Sequence, residues 1–109
     1  MATNYIQPGQ VLTLTAPAGG VTSGTGYLIG SMFVVALHDA AVGEAFEGQL
    51  TGVWSLPKTS AQAWTEGVAV YWDGSKATTA DGSGSNTLIG HAATAAANPS
   101  SHGLVRLSA

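Results

Sequence analysis

Apolar and polar residues alternate along this chain in short runs that stop at glycine, proline or Asp-Gly. Gln10 to Thr15, QVLTLT, puts Val11, Thr13 and Thr15 on one face and Leu12 and Leu14 on the other, the period of a half-buried strand. Tyr27 to Ile29 is a second apolar run. Met32 to Leu37, MFVVAL, is apolar on both faces and predicts a central strand covered on both sides. Gly30, between these two runs, predicts a bulge or a close backbone approach. Glu44 to Gln49 and Leu50 to Leu56 read as two short strands or one strand bent at Gly48 and Gly52. In the second piece Trp54 and Leu56 share a face, Val53 points the other way, and Pro57 ends the run.

The second half continues in the same manner. Ser60 to Trp64 predicts a single helical turn, too short to persist alone. Val68 to Trp72 is a strong strand and Lys76 to Thr79 a short one, with hairpin signals at Asp73-Gly74 and Asp81-Gly82. Thr87 to Ala92 extends as a strand to about Ala95, with Leu88 and Gly90 alternating against Ile89 and His91. Gly103 to Leu107 closes the chain, Leu104 and Arg106 on one face, Val105 and Leu107 on the other. About eight short strands and at most one short helical turn predict an all-β fold, a small single-domain β-barrel or sandwich. Residues 1–9 form an N-terminal arm and 10–109 a single β domain, long enough to bury about 65% of its unfolded surface.

Composition narrows the function. Charged residues make up 8% of the chain, against about 25% in ordinary soluble domains. Either this is a small-residue β protein with a neutral surface, or the surface is largely used in contacts with copies of itself or with a scaffold. Net charge is −3, and Lys58, Lys76 and Arg106 stand apart in sequence. No basic patch is available for counterion release, which disfavours nucleic acid. There is no cysteine, hence no disulfide framework or thiolate chemistry. The first residues lack a signal-peptide pattern, and no apolar run approaches the roughly 20 residues of a membrane span. The expectation is a cytoplasmic product with no membrane partner.

Candidate chemistry is sparse. Gly24-Thr25-Gly26 begins like a dinucleotide loop but has neither the third glycine in place nor a following helix. Ser31, His38 and Asp39 could be drawn as a triad, but adjacent His and Asp on one turn diverge. His38, His91 and His102 lack metal-ligand spacing. Glu44 and Glu47, three apart in a strand, fall on opposite faces. No enzyme, metal or cofactor is expected. Trp54, Trp64 and Trp72 have three open readings: core residues, protein contacts, or a sugar-stacking platform in a carbohydrate- or protein-binding β module. Trp64 follows a polar turn, which would leave it half exposed and makes it the oligomer-interface candidate.

Taken in order, the arm Tyr5-Ile6-Gln7-Pro8-Gly9, the strand end Gly52-Val53-Trp54-Ser55-Leu56-Pro57-Lys58, the strand Val70-Tyr71-Trp72-Asp73, the run NTLIGHA and a final VRL strand carry a resemblance over nearly the whole chain. The chain resembles the capsid cement, or decoration, proteins of tailed phages and prophages. That resemblance implies a compact β subunit on the outer face of an assembled phage head. It would be made in the host cytoplasm, added in many copies, often as homotrimers, and would bridge subunits of the major capsid protein. Tyr5, Ile6 and Pro8, apolar-aromatic residues outside the core pattern, are the capsid-docking candidates.

Overall fold

The structure is a computed structural model that describes residues 9–108. Nine strands follow one another: β1 (Val11–Thr15), β2 (Gly26–Ile29), β3 (Met32–Ala36), β4 (Ala45–Gln49), β5 (Gly52–Pro57), β6 (Ala69–Trp72), β7 (Ala77–Thr78), β8 (Thr87–Ala92) and β9 (His102–Leu107). They form a four-stranded sheet of order β1-β4-β3-β2 and a five-stranded sheet of order β5-β9-β8-β6-β7. Every strand pair is antiparallel. The all-β class expected from the sequence is the observed one, as two sheets. The ends of the five-stranded order are joined by one parallel bridge between Lys58 and Ala77.

β3 is apolar on both faces because it faces two cores. Phe33 and Val35 join Leu56, Val70, Trp72, Ile89, Val105 and Leu107 between the sheets. The Phe33 and Trp72 rings meet there, centroids 4.9 Å apart and planes at 54°. Val34 and Ala36 point the other way, toward Phe46, Ala16 and Val21, with Leu14, Tyr27 and Leu50 packed against them. Burying a Val, Leu or Phe completely is worth about 1.5–3 kcal/mol. The strand with the longest apolar run is therefore the one both clusters share.

Period-2 patterning positions the rest. Along β9, Gly103, Val105 and Leu107 are buried while His102, Leu104 and Arg106 are exposed. β5 pairs with it in register, so Leu56 is buried and Val53, Ser55 and Pro57 face out. The Lys58 N–H donates to Ser101 O at 2.9 Å. Alternation along the ladder then directs the backbone of Pro57 away from β9, toward the sparsely bridged outer edge of β5, where its missing N–H leaves no β9 carbonyl unpaired.

Four local expectations are corrected. Gly30 makes no bulge: Ile29 pairs with Met32, and Gly30-Ser31 is a two-residue hairpin turn with Gly30 at φ 64°. Ser60 to Trp64 makes no helical turn. Trp64 N–H donates to Ala96 O and Trp64 O accepts from Ala96 N–H, while Ser60 O accepts from Ser100 N–H. The bonds a helix would need are spent across the chain. The helical turn that does form is a 3-10 turn at Gly82–Gly84, capped by Asp81, whose Oδ1 accepts from Ser83 N–H at 3.1 Å. β8 stops at Ala92 and does not alternate cleanly: Ile89 and Gly90 are both buried. The register shifts opposite Val70 and Tyr71, and two residues of β8 turn inward together.

Candidate interaction surface

The side chains most able to do chemistry are held by the fold itself. His38 Nε2 accepts from Glu47 N–H at 3.2 Å, and its Nδ1 lies 3.1 Å from Asp39 O. Accepting from an N–H requires an unprotonated nitrogen, so the Nδ1–H tautomer donates to Asp39. Asp39 Oδ1 accepts from Ser23 N–H at 2.8 Å rather than orienting the imidazole. Glu44 Oε1 accepts from Ala41 N–H, and the Glu47 carboxylate receives Thr13 Oγ1–H at 3.0 and 3.1 Å. Ser31 sits in the β2–β3 turn. Among the described residues, no three of His, Cys, Asp and Glu gather as a metal site.

The tryptophans point inward. Trp64 is 2% exposed and belongs to the core between the sheets, as does Trp72. Trp54 packs against the same core and donates its Nε1–H to Thr51 O at 2.9 Å. The half-exposed position expected for Trp64 is corrected: the antiparallel bridge to Ala96 swings the ring inward over Gly103. The oligomer-interface candidate is thus a buried side chain within this chain. Three inward indoles form no sugar platform.

What the molecule does present is sheet. The outward positions of the five-stranded sheet align across four strands. Val53 pairs with Arg106, Arg106 with His91, and His91 with Ala69, making one row over β5, β9, β8 and β6. Ser55 and Leu104 make the next row, and Leu88 lies opposite Tyr71. Val53 is 56% exposed, and Leu88 and Leu104 also stand out as large exposed apolar side chains. At one end of the sheets this face runs into a cleft of about 910 Å³, lined by Met32, Phe33, Leu50, Val53, Ile89 and Leu107. Gly9 also lines the cleft. Tyr5, Ile6 and Pro8, the capsid-docking candidates, lie outside the described residues.

A family model described as phage cement protein matches residues 6–107, nearly the full chain. The chain belongs to the phage cement proteins. No curated protein and no solved structure matches it significantly. Membership supports a structural role at the phage capsid.

Sequence reasoning placed Leu104 and Arg106 on one face, and Val53 opposite Leu56. It missed that they share a surface with His91 and His102, which it read only as lacking metal-ligand spacing. The register of β5 on β9 and β9 on β8 brings them together, and alternation within single strands does not reveal it.

Proposed function

We propose that this cement protein binds the outer surface of the assembled phage head as a homotrimer and stabilises the shell by bridging subunits of the major capsid protein. The family match carries the reading, since it runs from Ile6 to Leu107 and takes in the end of the arm as well as both sheets. A stable contact covers about 800 Å² per partner. A trimer touching several capsid subunits turns modest contacts into high avidity through effective concentration. Tyr5, Ile6 and Pro8 dock the arm on the capsid, where an extended segment can add an edge strand to a capsid sheet. The protein is made in the host cytoplasm and ends on the virion exterior.

The test is a deletion of residues 2–8. The shortened chain should melt cooperatively and fail to co-sediment with expanded heads that retain the full-length protein. Equal head occupancy by the two forms would refute docking through the arm. Absence of the full-length protein from heads would refute the cement role itself.

A further inference from the structure

The large exposed apolar side chains fall in two places. Val53, Leu88 and Leu104 are on the outer face of the five-stranded sheet; Leu37 and Val42, the latter 62% exposed, are in the β3–β4 connection. The permanent charges around them differ in sign, a guanidinium at the sheet face and carboxylates at the connection. The outward positions of β5, β6, β8 and β9 hold Arg106, His91 and His102 and no carboxylate. Around Leu37 and Val42 stand Asp39, Glu44 and Glu47, with Leu37 N–H donating to Glu47 O and Glu44 N–H to Ala41 O. The three carboxylates accept hydrogen bonds from Thr13, Ser23 and Ala41 and from no cationic side chain among the described residues, and a carboxylate has about four acceptor positions.

From these two patches we infer that a second copy of this chain covers the outer sheet face, pressing its β3–β4 connection and Glu47 onto Val53, Leu104 and Arg106. The contact is head-to-tail. Two sheet faces set against each other would leave each Arg106 without a carboxylate opposite it, and like-charge juxtaposition in an interface is unfavourable. Sheet face against connection sets apolar on apolar and guanidinium on carboxylate. A head-to-tail contact closes into a ring when its rotation allows. Each ring subunit uses both patches, and two standard contacts would take roughly a quarter of its 6127 Å² surface. That the ring has three members rests on the cement reading above; the pairing of the two patches does not.

Two single substitutions test it without any capsid present. Leu104→Glu disables the sheet face and Val42→Glu the connection. The wild-type chain should sediment as a multiple of its 10.9 kDa mass, and each variant alone as a monomer. Mixed in equal amounts, the variants should form a one-to-one dimer that grows no further, because each supplies the patch the other lacks. A monomeric wild type, a variant that still self-associates, or a mixture that stays monomeric would overturn the proposal. Far-UV circular dichroism checks folding, and Arg106→Glu and Leu37→Glu replace any variant that fails it. Loss of head binding with the oligomer intact counts against the docking reading alone, whereas a failed mixture with heads still decorated counts against this one.

Discussion

The backbone of Gly103 lies against the ring of Trp64: a methyl group on Gly103 would stand 2.4 Å from the indole Cζ3. Gly103 pairs with Leu56 on β5, so the ring seals the end of the core at the β5–β9 ladder. Gly90 is tighter still. A methyl group there would stand 2.0 Å from Arg106 O, a backbone atom that cannot rotate away. Overpacking a filled core typically costs about 1–3 kcal/mol. Gly103→Ala should lose stability in that range. Gly90→Ala should lose more, because β8 and β9 must part to admit it. Urea midpoints at constant slope would rank the two.

The inward indoles set the fluorescence. Trp64 and Trp72 are buried and Trp54 is half-buried against the same core. Emission should be blue-shifted in the folded state and resist acrylamide quenching, with a red shift on unfolding. Adding oligosaccharides should leave the spectrum unchanged. A saturable glycan-dependent change would restore the sugar-binding alternative.

How much of this was legible depended on the range of the interaction. The apolar run of β3 and the alternation of β5 and β9 are properties of single strands, and they appear in the structure as read. The bulge at Ile89-Gly90 arises from the pairing of β8 with β6, so no periodicity within β8 announces it. The non-helical path through Ala61, Gln62 and Ala63 contradicts local helix propensity. It holds because Trp64 gains a buried site and a two-way bridge to Ala96, which outweigh the few tenths of a kcal/mol per residue that propensity supplies. The interaction surface was the least legible part. Its basic groups sit at positions 91, 102 and 106, and only the strand register puts two of them side by side.

Lys58 is a cation in the interior, 2% exposed. Its Nζ donates to the carbonyls of Thr59 and Gln62 and lies 5.6 Å from the centroid of the Trp64 ring. The Gln62 side chain continues the network, donating to Thr78 Oγ1 and accepting from Thr79 N–H. Lys58→Met removes the burden of burying an ammonium but strips two carbonyls of their donor, and leaving such groups unpaired costs about 1–3 kcal/mol. Loss of the cation over the indole adds to that. The variant should therefore be less stable by about 1–3 kcal/mol in urea. A neutral or stabilising outcome would show that desolvation of the ammonium dominates.

Acid sensitivity should carry a signature of the β6–β7 hairpin. Asp73 Oδ1 accepts from Ser75 N–H at 2.9 Å, Lys76 N–H at 2.8 Å and Ser75 Oγ–H at 3.3 Å. The backbone hydrogen bond from Ser75, with that from Lys76 and the nearby Lys76 charge, holds the Asp73 carboxyl below the usual aspartate range. A lowered folded-state pKa means the unfolded chain binds a proton first as pH falls. The stabilisation is complete above the unfolded-state pKa and disappears as pH drops through the folded-state value. The group is exposed, so its charge contributes less than about 1 kcal/mol. Asp73→Asn should be slightly less stable than wild type at neutral pH, with the difference shrinking to near zero in strong acid. Paired urea titrations from neutral pH into the acid range would read that convergence, and a constant difference would show that the hairpin depends on the shape of Asp73 rather than its charge.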